Sequence, residues 1–101
     1  MIVYNVTVKT DPSITDAWVQ WVREIHIPEM ILTGCFSEGK IFRLLDLDEE
    51  DGSTHTIQYF ATDRSAYDRY LSEFSSEMRK KSIEKWGDRF IAFRSVMEVV
   101  N

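Results

Sequence analysis

Over residues 2–9 apolar and polar positions alternate, with Ile2, Tyr4, Val6 and Val8 on one face and Val3, Asn5, Thr7 and Lys9 on the other. A period of two marks a half-buried strand, because successive side chains of an extended backbone point to opposite faces. Thr10, Asp11 and Pro12 turn the chain out of it. The period then changes. Ile14, Trp18, Trp21, Val22 and Ile25 share one side of a helix wound at about 100° per residue, and Asp16, Gln20, Arg23 and Glu24 share the other. Ser13 with Asp16 three residues on fits a capping box. Pro28 has no N–H and crowds the carbonyl four residues back. The spacing therefore predicts a helix that kinks or ends near His26, a second short segment opened by Pro28, and a left-handed stop at Gly34.

Residues 36–47 read as a second strand whose start is interrupted by a bulge at Ser37, Glu38 and Gly39. The acidic run at 46–52 is a hairpin connection with Asp51-Gly52 as its turn signal. It is not a calcium loop: its glycine stands one place late and the closing glutamate is missing. Residues 54–62 form a third strand, Ile57, Tyr59 and Ala61 facing one way and Thr56, Gln58 and Phe60 the other. Asp63 or Ser65 caps a second helix with Tyr67, Tyr70, Leu71, Phe74 and Met78 as its stripe. Ile83 and Trp86 fall on a different side, which predicts a break within 75–82, and Gly87 ends the helix. Residues 90–100 alternate again, Ile91, Phe93, Met97 and Val99 against Phe90, Ala92, Arg94, Val96 and Glu98.

The order β-α-β-β-α-β is the split βαβ, or ferredoxin-like, arrangement of an α+β domain, expected here as a single domain over 1–101. Right-handed crossovers place both helices on one face of a four-stranded antiparallel sheet. That helical face is expected to take Ile2, Tyr4, Val6, Ile57, Tyr59, Ile91, Phe93 and Met97. The outer face then receives Val3, Asn5, Thr7, Gln58, Phe60, Ala92, Arg94, Val96 and Glu98. Rings and aliphatic groups are mixed there with amides and a guanidinium. Such a face suits burial against a second copy, whose sheet closes a dimeric α+β barrel around a partly polar space. A plain amphipathic outer face and an interface without a pocket are the competing readings.

Charge narrows the partners. The chain of 101 residues carries a net charge of −5, and its pI is near 4.9. That excludes the basic face a nucleic-acid binder needs and a polybasic membrane contact. Cys35 is the single cysteine, so no internal disulfide and no cysteine metal array is available. A reducing cytoplasm is the expected setting. The first residues read as a strand and not as a signal peptide.

No nucleophile–base pair or metal-ligand spacing is readable, and no cofactor is implied. His26 is the one candidate catalytic residue. It lies at the border of the apolar stripe, as a structural histidine at a helix end or as a titrating group at a pocket rim. Asn5, Gln58, Phe60 and Arg94 are the candidate ligand-binding set, able to orient an anionic or carbonyl-bearing metabolite. A haem held by His26 or His55 is a weaker alternative, because His55 adjoins a hairpin turn.

Several stretches together resemble a family of short uncharacterised bacterial proteins of the dimeric α+β-barrel superfamily. They are YNVTV at residues 4–8, His26-Ile27-Pro28 with Thr33-Gly34 and Phe36, Gln58-Tyr59-Phe60, and Phe93-Arg94. The resemblance spans nearly the whole chain and implies the ferredoxin-like fold and a homodimer. The wider superfamily includes cofactor-free monooxygenases, muconolactone-isomerase-like enzymes and stress-response proteins. Some of its members have a similar His-x-Pro at the end of the first helix, which implies a role for His26. A metabolite-binding homodimer, a monooxygenase- or isomerase-like enzyme, and a purely structural or protein-interaction homodimer are the functions carried forward.

Overall fold

A computed structural model describes residues Met1–Asn101. Four strands, β1 (Ile2–Thr10), β2 (Glu38–Arg43), β3 (Thr54–Ala61) and β4 (Phe90–Glu98), form one antiparallel sheet in the order β2-β3-β1-β4. The helices are α1 (Thr15–Trp21), α2 (Ile27–Leu32), α3 (Arg64–Glu73) and α4 (Ser75–Trp86), with a π-helical segment, Val22–His26, joining α1 to α2. This is the α+β, ferredoxin-like architecture that the element order requires. The core lies between the helices and one sheet face. Tyr4, Ile57 and Tyr59 from the sheet meet Trp18, Trp21, Val22, Met30, Tyr67 and Tyr70 from the helices.

Helix ends depart from the sequence reading in instructive ways. Ser13 does not cap α1. Its N–H and hydroxyl both donate to the Asp11 carboxylate, at 2.9 and 2.7 Å, and the helix starts after Ile14 with no side-chain cap. At the other end the chain does not leave helical angles at His26. The helix widens, and the Ile27 N–H donates to the Val22 carbonyl five residues back. The wider turn carries the helix up to Pro28, whose missing N–H falls in the first turn of α2, where it costs least. Gly34 ends that run at φ +80°, as expected.

The second helical pair divides at Phe74, one residue before the expected window. Its backbone leaves helical angles at φ −128°, and the Ser75 hydroxyl donates to the Leu71 carbonyl across the break. Asp63 caps α3 by accepting the Ala66 N–H at 2.9 Å. β2 is shorter than expected, since the chain leaves the sheet after Arg43, and β4 ends at Glu98. Gly52 is required by crowding as well as by its φ of +128°: a Cβ there would lie 1.9 Å from the Thr10 carbonyl oxygen.

Register decides the faces. On β1, Tyr4 stands opposite Tyr59 and Val96, Asn5 opposite Gln58 and Ser95, and Val6 opposite Ile57 and Arg94. β1 and β3 therefore present the expected residues to the helices, but β4 is inverted. Phe90, Ala92 and Arg94 share the helical side, whereas Ile91, Phe93 and Met97 face outward. Ile91 is 72 % exposed and Phe93 65 %. The expectation that Arg94 joins Asn5, Gln58 and Phe60 on the outer face is thus overturned. Both faces of β4 carry apolar side chains, so alternation alone could not say which was inside. Bulk favours Ile91 and Phe93 for the core, but Phe90 and the small Ala92 pack there.

Candidate functional site

The outer-face candidates remain together without Arg94. Asn5 and Gln58 are direct cross-strand partners, and the Asn5 amide donates to Thr7 Oγ1 and Ser95 Oγ at 3.2 and 3.4 Å. Phe60 lies beside them, opposite Val3. Glu98 shares the helical side with Arg94 but forms no ion pair with it.

On the helical side a cleft runs between the sheet and the helices. Val6, Tyr59 and Arg94 line it from the sheet, and Trp18, Trp21, His26 and Met30 from the first helical run. Tyr70, Met78, Arg79 and Ser82 close it from α3 and α4. A 2.6 Å ion pair between Lys81 and Glu29 ties α4 to α2 alongside. The interior is narrow, and rings and aliphatic side chains make up most of its wall.

The π turn delivers His26 to this cleft. In an unbroken α-helix Ile25 follows Trp21 and Val22 on the inward stripe. The wider turn advances the phase by one residue, so Ile25 rotates outward to 47 % exposure and His26 moves in. Its ring stacks on Trp21 and meets Tyr59 edge-on, with centroids 4.7 and 6.5 Å away. Burial pushes its pKa down to about 4 against a smaller upward pull from Glu29, so the imidazole is neutral at pH 7.

Two polar atoms in the cleft have no protein partner. His26 Nδ1 and the Tyr59 hydroxyl are both buried and neither is within hydrogen-bonding reach of another group. Tyr59 is 1 % exposed, and burial, with Tyr70 and Tyr4 nearby, raises its pKa well above the ordinary phenol value. It stays a neutral O–H donor. An unpaired buried polar group costs ~1–3 kcal/mol; His55 Nδ1 and Trp86 Nε1 are unpaired as well, but each stands away from the cleft, where His26 and Tyr59 occur together. Tyr59 was expected only as core. The signal that it is more is chemical: a tyrosine at an inner strand position carries a hydroxyl that needs a partner. Arg79 gave no sequence signal, because it lies outside the apolar stripe of its helix.

His55, the other haem candidate, lies on β3 against Trp18, at a ring distance of 5.6 Å. It does not line the cleft. No group of three or more His, Cys, Asp or Glu side chains is arranged to hold a metal ion.

Fold and cleft together define a ferredoxin-like α+β protein with an aromatic pocket between its helices and its sheet. The chain belongs to the family described as a domain of unknown function, DUF4286, whose model matches residues 1–100. A search among curated proteins gives no significant match. Solved structures with the same fold include a dimeric ferredoxin-like protein from an uncultured marine organism. It is 10 % identical with a TM-score of 0.75, and the match covers 99 % of this chain and 95 % of that one. An antibiotic biosynthesis monooxygenase is 14 % identical at TM-score 0.68, with both chains covered in full. A mutant of SnoaB, a cofactor-independent oxygenase from Streptomyces nogalater, is 15 % identical at TM-score 0.65, covering 99 % and 94 %. At such identities the likeness is one of fold alone. No helix is long and apolar enough to cross a membrane.

Proposed function

We propose that this protein is a homodimer that binds a small hydroxyl- or carbonyl-bearing molecule in the cleft between its helices and its sheet. The observation that carries the reading is the pair of buried, unpartnered polar atoms, His26 Nδ1 and the Tyr59 hydroxyl, on one aromatic-lined cleft. The phenol of Tyr59 donates to the ligand oxygen, and the neutral imidazole of His26 accepts a hydroxyl proton. A hydroxyl serves both. The rings around them take the ligand's apolar body.

The second copy is assigned to the outer face. Ile91, Phe93, Met97 and Phe42 are exposed there around the Asn5–Gln58 pair. A contiguous apolar patch of this kind is characteristic of an interface. Asn5, Gln58 and Phe60 belong to that interface in this reading, and the cleft is left to His26, Tyr59 and Arg94. The dimeric ferredoxin-like protein of the same fold supports the assignment.

A catalytic reading has one specific support. The His26 imidazole is unprotonated and faces the cleft, so it can take a proton from a bound hydroxyl or acidic C–H, the first step of isomerase or cofactor-free oxygenase chemistry, although burial that holds its pKa at about 4 makes it a weak base. The oxygenases of the same fold make this the natural enzymatic alternative.

Phenol tests the binding reading directly, because it offers one ring and one hydroxyl. Trp18 and Trp21 line the cleft and report on it by fluorescence. Saturable quenching is expected with the wild type and is expected to be lost in Tyr59→Phe and His26→Phe. Quenching that survives both substitutions would place the ligand elsewhere.

A further inference from the structure

The mouth of the cleft carries two guanidiniums from different elements. Arg94 comes from β4 and Arg79 from α4, and both line the cleft. Arg43, Arg64 and Arg69 each close on a carboxylate, Glu49, Asp68 and Glu73 in turn. Arg79 and Arg94 close on none, although the chain has 17 acidic residues against 12 basic ones. Arg23 and Arg89 are also free of ion pairs, but neither lines the cleft. Both cleft arginines bear on one phenol. Their positive charges pull the Tyr70 ionisation down against the larger upward effect of burial. Two uncompensated guanidiniums beside an apolar cleft are an anion site, and arginine's planar fork matches a carboxylate.

Register sets the ligand's span. Tyr59 and Arg94 sit on strands either side of β1, offset by two residues, since they face Tyr4 and Val6. With strands ~4.8 Å apart and ~3.4 Å of rise per residue, their Cα atoms are roughly 12 Å apart. Both side chains lean over the same face from this short Cα separation, so a ligand that touches both is a small one.

We infer that the ligand is a small aromatic hydroxy acid, its carboxylate held at the mouth by Arg79 and Arg94 and its hydroxyl directed inward to His26 Nδ1 and the Tyr59 hydroxyl. This rests on the cleft-binding reading above and adds the acid. The polarity of binding is fixed by room as well as charge, because the narrow interior admits a hydroxyl but not a hydrated carboxylate.

The test compares acids with their neutral counterparts on the full chain. Salicylate and its meta and para isomers are titrated by calorimetry alongside the matching hydroxybenzamides, with phenol as the reference. At least one acid is expected to bind tenfold or more tighter than its amide and than phenol. Raised ionic strength weakens the acid alone. Arg79→Gln and Arg94→Gln should each weaken the acid severalfold and narrow the gap between each acid and its amide. Both arginines are exposed, and a thermal melt of each variant checks that the fold is kept. If phenol binds in a Tyr59-dependent way but acid and amide bind alike, the acid inference falls and the cleft reading stands. If phenol, acids and amides all fail to bind at millimolar concentration, both fall.

Discussion

His26 lies flat against Trp21, five residues earlier, with ring centroids 4.7 Å apart and planes 18° from parallel. An interval of five does not stack in an α-helix, where neighbours on a face are three or four apart. The π turn between them makes the contact, and the contact sets the protonation of the histidine. Stacked and buried, the ring loses hydration that its charged form needs more than its neutral form.

Acid sensitivity follows. The ordinary histidine pKa is 6.5, and in the folded protein burial holds His26 at about 4, with Glu29 pulling up and Lys81 pushing down beside it. The unfolded chain binds the proton more readily, so the contribution to stability is complete above about pH 6.5 and is lost as pH falls toward 4. At ~1.4 kcal/mol per pH unit, the loss is about 3 kcal/mol. Urea melts across this range should show the slope, and His26→Phe should reduce it while keeping a ring on Trp21. A smaller slope remains from His55, whose pKa burial also lowers. An unchanged slope in the variant would remove His26 from the buried face.

Trp18 and Trp21 are the large anchors of the first helical run, 3 % and 8 % exposed. Replacing either with alanine should cost about 3–5 kcal/mol. Trp21→Ala also removes the surface on which His26 rests, so it should abolish phenol quenching even where the fold survives. Denaturation midpoints near wild type in both variants would disprove the helix register.

Gly39 stands where α2 meets the sheet. A Cβ there would come within 2.9 Å of Ile27 Cγ2 and 3.1 Å of Tyr59 Cδ1. Gly39→Ala should therefore overpack this junction at a cost of about 1–3 kcal/mol. Because the displaced ring is that of Tyr59, ligand affinity should fall as well. Gly52→Ala meets backbone instead of side chain and should be the more damaging, by more than about 2 kcal/mol. Thermal melts of the two variants give the comparison, and equal melting temperatures would contradict it.

The exposed rings of the outer face predict self-association. Sedimentation at micromolar concentration should show a species of twice the 11.9 kDa chain mass. Phe93→Asp should shift it to the monomer, since a desolvated carboxylate is not tolerated in an apolar interface. A wild-type monomer at that concentration would count against the interface.

The elements were legible because their periods differ: two along β1 and β3, near 3.6 along the first helical run. The inner residues of both central strands followed from alternation and survive in the structure. Two things were not legible. β4 has apolar residues on both faces, so Ile91 and Phe93 competed with Phe90 and Ala92 for the core, and the choice carried Arg94 to the wrong side. A wheel drawn at 100° assumes an unbroken α-helix, so it set Ile25 inward and His26 at the border. Arg94 and His26 were each singled out, but the space they share lies under the helices and not on the outer face.

Counted in turns instead of residues, the first helical run carries one residue too many. From Trp21 and Val22 to His26 and Ile27 the interval is five, as the Ile27-to-Val22 hydrogen bond records. Ile25, the residue this surplus turns out to solvent, is therefore removable in principle. Excising it closes the interval to four and leaves the histidine, its following isoleucine and Met30 facing the sheet from a plain α-helix. What changes is the width of the turn: five residues close it now, and four would close it after the excision, with the same residues on the inner side. The surplus residue is carried outward at Ile25, while the choice of wall belongs to the rest of the helix.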